Sequence, residues 1–167
     1  TRLDSGAVEP AVCVAVKPVL ERAARMLQPV ARQREVELTC RADEAAAVRA
    51  TEGDVHQILY NLMENGVKYT APGGFVHTSV SVEEGQVVIT VSDNGIGIPV
   101  EDMPHIFERF YRVDKARSRQ IGGTGLGLSI VGDTVQRRGG EIGVAPRKGG
   151  GTVFTVSFPQ AEPEVTA

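Results

Sequence analysis

The chain has 167 residues, of which 41% are hydrophobic, and a formal net charge of -3 from 18 basic and 21 acidic side chains. That length suits one domain with its own core, and the near-balance of charge gives no electrostatic case for binding nucleic acid or an anionic membrane. Cys13 and Cys40 sit in no metal-binding pattern and read as free thiols of a reduced, cytoplasmic protein, and no apolar run is long enough to span a bilayer.

Residues 1–11 are polar and read as a linker. Cys13 to Val16 suggests a short strand. From Lys17 to Gln33, apolar residues at Leu20, Ala23, Ala24, Leu27 and Val30 keep a helical rhythm, and Pro29 is expected to distort the end of that helix. Glu35–Cys40 and Ala47–Ala50 read as short strands. Asp54 to Tyr69 is the clearest helix, with Asp54 as its expected N-cap. After a turn at Pro72-Gly73-Gly74, two alternating runs follow: Val76, Thr78, Val80 and Val82, then Val87, Ile89 and Val91. Glu83-Glu84-Gly85 between them predicts a hairpin. Residues 94–123 are loop-like, with a short helix expected around Pro104 to Phe110. Leu126 to Arg138 reads as a third helix, and Glu141–Ala145 and Thr152–Phe158 as the last strands. From Gln160 onward the tail is expected to be disordered. The pattern predicts an α/β two-layer sandwich, with one mixed, mostly antiparallel sheet and about three helices on one face, over residues 12–159.

Four stretches carry chemistry. On the Asp54 helix, Val55, Ile58, Leu59, Leu62 and Gly66 share one face, while Asn61, Glu64, Asn65 and Lys68 form a second stripe at i, i+3, i+4 and i+7. Such a stripe is ordinarily a solvated face. Two asparagines a turn apart inside a helix are unusual, however, because Asn is a poor interior helix former. Amide oxygens, a carboxylate and an ammonium together suit a hydrated Mg²⁺ and a polyphosphate, since Mg²⁺ keeps its waters and takes few protein oxygens.

The run from Val87 to Asp93 puts a carboxylate on the same face as Val87, Ile89 and Val91. Asp93 there either caps the Asn94-Gly95 turn or accepts a hydrogen bond from a ligand amine such as adenine N6, because an acid on an apolar face is costly unless something binds it. Gly95, Gly97 and Pro99 make a bend with few side chains, which a flat base could approach. Gly122 to Ser129 is a glycine-rich loop running into a helix, able to present backbone N–H groups to phosphate. It is neither a Rossmann nor a P-loop pattern. Ile106-Phe107-Glu108-Arg109-Phe110-Tyr111-Arg112 packs three aromatics into five residues and reads as an anchor for a mobile lid.

In this order the stretches resemble the four boxes of the catalytic ATP-binding domain of sensor histidine kinases. Asn61 to Thr70 resembles the N box, Asp93 to Pro99 the G1 box, Ile106 to Arg112 the F box and Gly123 to Ser129 the G2 box. The resemblance spans roughly Val12 to Phe158. It implies the Bergerat fold shared with DNA gyrase, mismatch-repair ATPases and a large heat-shock chaperone, and it implies ATP and Mg²⁺ as cofactors. By the same resemblance, Asn65 holds the metal, Asn61 and Lys68 contact phosphates, and Tyr69 packs against adenine or ribose. Asp93 binds the adenine amine, Gly95 and Gly97 shape the base pocket, and Thr124, Gly125, Leu126 and Gly127 meet the phosphates. Arg112 and Glu64 are the implied catalytic residues, Arg112 steadying the γ-phosphate and Glu64 orienting the attacking imidazole.

Gly66 departs from the family, which usually has Ala there; a helix-interior glycine costs about 1 kcal/mol, so a looser helix is expected. His56, His77 and His105 stand in no phosphoacceptor context. The opening Thr1 to Gly6 resembles the stretch that leaves the family's dimerising helix pair, and Thr1 does not resemble a natural start. The acceptor histidine is therefore expected on a separate dimerisation domain outside this chain, which would be the monomeric, cytoplasmic portion of a membrane-bound receptor, with a response regulator as the final phosphoryl acceptor. An anti-sigma-type serine kinase and a non-catalytic ATP-sensing module of the same fold are the alternative readings.

Overall fold

A computed structural model describes residues 9–111 and 127–162. The chain runs β1 (Val12–Ala15), α1 (Val16–Gln33), β2 (Glu37–Ala42), β3 (Ala47–Ala50), α2 (Glu52–Lys68), β4 (Phe75–Glu83), β5 (Gln86–Asp93), a 3-10 helix (Val100–His105), α3 (Gly127–Arg137), β6 (Glu141–Pro146) and β7 (Thr152–Pro159). Five strands form one sheet in the order β2-β4-β5-β7-β6, in which β2 runs parallel to β4 and every other pairing is antiparallel. The predicted single sheet needs one amendment: β1 and β3 pair only with each other, as a separate antiparallel ribbon. Val14, Val48 and Ala50 of that ribbon still point into the common core.

Alternation decides which side of the sheet is buried. Val76, Thr78 and Val80 of β4, Val87, Ile89, Val91 and Asp93 of β5, and Thr152, Phe154, Val156 and Phe158 of β7 are buried against the helices. The opposite face is mostly polar and half-exposed, with Ser79 and Ser81 on β4 and Thr90 and Ser92 on β5. Helix α1 contributes Val16, Val19, Leu20, Ala23, Ala24, Leu27 and Ala31 to the core, and α2 contributes Val55, Ile58, Leu59, Leu62, Met63, Gly66 and Val67. At the hairpin, Glu84 and Gly85 take φ of 51° and 77°. Positive φ at both central residues of a two-residue loop matches the right-handed twist of the strands it joins.

Pro29 neither ends nor interrupts α1, which continues to Gln33. The ring lies on the exposed side of the helix, where water can satisfy the carbonyl that a proline leaves unbonded. Helix α2 starts two residues earlier than its pattern suggests. Its N-cap is Thr51, whose hydroxyl accepts from Asp54 N at 3.0 Å, and not Asp54. Asp54 instead ties α2 to α3, with Arg138 Nε at 2.6 Å and Arg137 Nη2 at 3.5 Å. The chain stays ordered past β7. Gln160 binds Ala47 N and Ala45 O through its side-chain amide, and Ala161 is buried with its N–H on Ala47 O. Disorder from Gln160 onward therefore fails at those two residues; residues 163–167 lie outside the described residues.

Candidate functional site

The end of β5 and the end of α2 meet. Asp93 is 4% exposed and crosses the sheet from Val76. An added Cβ on Gly66 would sit 3.0 and 3.2 Å from the Val76 methyls and 3.7 Å from Asp93 Oδ2. Glycine at this position therefore lets α2 lie close over the carboxylate. The helix stays regular through it to Lys68, so the looser helix expected at Gly66 is not seen.

Asp93 does cap its own turn, because Oδ1 accepts from Gly95 N at 2.8 Å. The Thr152 backbone N–H and the Arg147 guanidinium also act electrostatically on the carboxylate. Among the described residues no side chain makes an ion pair with it. A carboxylate offers about four acceptor positions, so the bond from Gly95 leaves room for a further donor, and Oδ2 faces the end of α2. Burial pushes the Asp93 pKa above the ordinary carboxylate value; the N–H groups of Gly95 and Thr152 and the charge of Arg147 pull it back only in part.

The G1 bend is stitched to the end of the N-box helix. Ile96 N donates to Tyr69 O at 3.1 Å, and an added Cβ on Gly95 would lie 2.3 Å from that same carbonyl. Gly97 takes φ of 77° beside Gly151 O. Thr70, the last residue of the N box, is 2% exposed, and its hydroxyl has no hydrogen-bond partner. It lies 2.9 Å from where a Gly95 Cβ would be. The Thr78 hydroxyl on β4 is likewise buried without a partner. The Asp93 acceptor beside a glycine bend with no side chain at Gly95 suits a polar, flat ligand edge.

Asn61, Glu64, Asn65, Lys68 and Tyr69 are all half-buried along the free stripe of α2. Lys68 Nζ lies 3.9 Å from Glu64 Oε1, which keeps the ammonium and the carboxylate on the turn next to Gly66. The amide oxygens of Asn61 and Asn65 suit a hydrated hard cation. Of the other predicted site residues, Gly127 is the exposed first residue of α3. Arg112, Thr124, Gly125 and Leu126 lie outside the described residues. The F-box stretch anchors as expected: Ile106 is buried, and Phe107 meets Phe154 edge-on at 6.2 Å and packs over Gly132. Phe110 stays 66% exposed.

Three residues at the site carry no motif signal. Arg34 donates from Nε to Val67 O at 3.2 Å and from Nη2 to Lys68 O at 2.8 Å, closing the orphan carbonyls at the end of α2. Thr152 pairs with Asp93 across the strands. Gly151 abuts the Asp93 carbonyl and is the last of three consecutive glycines with positive φ. The three histidines have structural partners instead of roles at the site: His56 stacks on Tyr60, His77 bonds Thr39, and His105 bonds Glu108.

The raised Asp93 pKa makes a signed prediction. The native state holds this proton more tightly than the unfolded chain, so Asp93 lowers the stability of the unliganded chain as pH rises from the ordinary carboxylate value through its own. A ligand that needs the ionised carboxylate binds better across the same window. Melting temperatures with and without an adenine nucleotide, from about pH 4 to 7, should therefore diverge as pH rises; a constant gap would remove Asp93 as the titrating group.

A family model described as histidine kinase-, DNA gyrase B-, and HSP90-like ATPase matches residues 50–162. The chain is 44% identical over 122 residues to the sensor histidine kinase WalK of Bacillus subtilis, covering 72% of this chain and 20% of WalK. It is 37% identical over 147 residues to the sensor-like histidine kinase SenX3 of Mycolicibacterium smegmatis, covering 88% of this chain and 38% of SenX3. The solved structure of full-length ShkA in complex with AMPPNP superposes with a TM-score of 0.81 at 30% identity, over 98% of this chain and 34% of that one. The chain thus spans well under half the length of these relatives. No helix among the described residues is long and apolar enough to cross a membrane.

Proposed function

The chain belongs to the histidine kinase-, DNA gyrase B-, and HSP90-like ATPase family, and from that premise we propose that it is the ATP-binding catalytic domain of a two-component sensor histidine kinase. The observation that carries this reading is Asp93, a buried acceptor with capacity to spare, set against a helix end that bears Asn61, Asn65 and Lys68. The names of WalK and SenX3, a sensor and a sensor-like histidine kinase, favour phosphohistidine chemistry over a serine kinase, and the AMPPNP complex of ShkA favours an adenine nucleotide.

Phosphoryl transfer requires little of a protein beyond positioning and charge neutralisation. Asp93 accepts the adenine amine, and the glycine bend at Gly95 and Gly97 lets the base lie flat. Asn61 and Lys68 orient the phosphates, Asn65 supplies an amide oxygen for Mg²⁺, and Tyr69 closes the base side. When bound, Mg²⁺ offsets the negative charge of the triphosphate. The imidazole comes from a separate phosphoacceptor domain, its nitrogen forming a bond to the γ-phosphorus as the bond to the β–γ bridging oxygen breaks and ADP leaves. Glu64 and Arg112 are the candidates for orienting that encounter, and a response-regulator aspartate is the final acceptor.

Asn65→Ala tests the metal role. Its affinity for an ATP analogue should fall several-fold in Mg²⁺ and hardly change in chelator, as titration calorimetry would report. An equal loss in both buffers would take Asn65 out of the metal site.

A further inference from the structure

The corner between α1 and β2 holds the end of α2 by contacts that none of the four motif boxes contains. Helix α1 has Arg34 as its C-cap, and the next residue, Glu35, takes φ of 59°. The N–H of Glu35 bonds Arg32 O at 3.0 Å, and the N–H of Val36 bonds Ala31 O at 2.8 Å. These are the two hydrogen bonds of a Schellman cap, whose left-handed position usually belongs to glycine. The cap fixes the root of the Arg34 side chain. The residues after it fasten the same corner to the loop that follows α2: Gly73 N donates to Glu35 O at 2.7 Å, and Glu37 N donates to Gly74 O at 2.9 Å. From this root the guanidinium donates to Val67 O from Nε and to Lys68 O from Nη2. Those two carbonyls lie in the peptide planes that lead into Lys68 and Tyr69, so holding both sets the directions in which these two side chains leave the backbone. One peptide further on, Tyr69 O accepts from Ile96 N at 3.1 Å and lies 2.3 Å from where a Gly95 Cβ would be. A single planar cation therefore stands at the start of a series of contacts that runs from α1 through Lys68 and Tyr69 to the bend after β5.

We propose that Arg34 is a positioning residue for the nucleotide: its fork holds the last two peptide planes of α2, so that Lys68 and Tyr69 are in place before the ligand arrives. This rests on the reading that Lys68 and Tyr69 meet an adenine nucleotide. Groups already ordered in the unliganded chain lose less conformational freedom on binding, which raises affinity without a new contact to the ligand. The hydrogen bonds are charge-assisted and half-buried, the stronger kind, and a positive charge suits the C-terminal end of a helix, where the macrodipole is negative. The planar guanidinium matters as much as its charge, because its donors are set in a rigid fork. Glu64 also meets Lys68, at 3.9 Å, but it stands on α2 itself and moves with that helix. Arg34 ties the helix end to a different element, and so it fixes Lys68 and Tyr69 relative to the rest of the domain.

The test is calorimetric affinity for a non-hydrolysable ATP analogue, measured on the 167-residue chain well below its unfolding midpoint, together with amide NMR spectra of the unliganded protein. Arg34→Ala should bind about five- to tenfold more weakly and should shift the amide signals of Tyr69 and Ile96. Arg34→Lys, which keeps the charge and N–H donors, should recover most of both. Val14→Ala, a truncation in the buried side of the β1–β3 ribbon, controls for stability lost away from the site: it should lower the melting temperature and leave the affinity at the parent value. Parent-like affinity in a folded Arg34→Ala variant, an unmoved Ile96 amide, or an equal loss of affinity in Val14→Ala would overturn the proposal. The parent chain separates the two claims. If it binds no ATP analogue, the nucleotide reading has failed and the role of Arg34 falls with it; if it binds and the Arg34 variants bind equally well, only the role of Arg34 has failed.

Discussion

Asp93→Asn should lower the affinity for ATP by about 2–3 kcal/mol, roughly 30- to 150-fold, while the unliganded chain still unfolds cooperatively. The carboxylate only accepts, and it already takes the N–H of Gly95. The adenine amine is a further donor that fills a position left free. Asparagine has one oxygen and one NH₂. If its oxygen stays on Gly95, the NH₂ meets the donor of the base; if the amide turns over, the NH₂ meets the N–H of Gly95. Either orientation leaves one donor facing another in a site that is 4% exposed, where an unmade hydrogen bond carries its full cost. Titration calorimetry with a non-hydrolysable analogue reads the loss, and a melting curve shows whether the variant is folded. Parent-like affinity in a folded variant would exclude Asp93 from the base pocket.

Gly151→Ala should be the most destabilising single methyl that this site can receive. Its φ of 108° is a conformation that L side chains rarely adopt, and the new Cβ would fall 1.9 Å from Asp93 O and 2.7 Å from Asn94 Cα. Both obstacles are backbone, so no side chain can rotate away. Backbone strain of order 1–3 kcal/mol adds to an overpacking cost of about the same size, and the β7 edge must move off Asp93 to relieve it. Gly143→Ala is the matched control, a strand glycine with nothing within 4 Å of an added Cβ; its change should stay within about 0.5 kcal/mol. Denaturant midpoints for the two variants provide the comparison. Similar midpoints would mean that the turn does not bear on Asp93 as described.

Most of the architecture could be read from the chain because its patterning is local. The period-two runs from Val76 to Val82 and from Val87 to Val91 and the helical run from Leu20 to Leu27 each state their buried face within a few residues. The glycine with positive φ at position 85 gives the hairpin. The separate β1–β3 ribbon was not legible, because pairing partners 32 to 38 residues apart leave no trace in either four-residue strand. The boundaries of α2 were misplaced because Thr51 and Asp54 are both good caps. The choice between them fell to the Arg138 ion pair, which joins residues 84 apart in the chain. At the site, Asp93 and Gly95 announced themselves by chemistry out of keeping with their neighbours. Arg34 and Thr152 did not: each acts through a contact set by the fold, and an arginine in a polar stretch looks like any other solvated cation. The orphan hydroxyl of Thr70 likewise becomes visible only when burial is known.

Base discrimination tests the central claim most directly. Binding of non-hydrolysable ATP and GTP analogues to the 167-residue chain should be measured side by side by calorimetry in Mg²⁺. A site whose buried acceptor is matched to a 6-amino group must turn away a 6-oxo group, which would set acceptor against acceptor. We expect one ATP-analogue site per chain and GTP-analogue binding weaker by about 30-fold or more. Equal affinities for the two, or no binding of either, would contradict the account of Asp93 and of the site built around it.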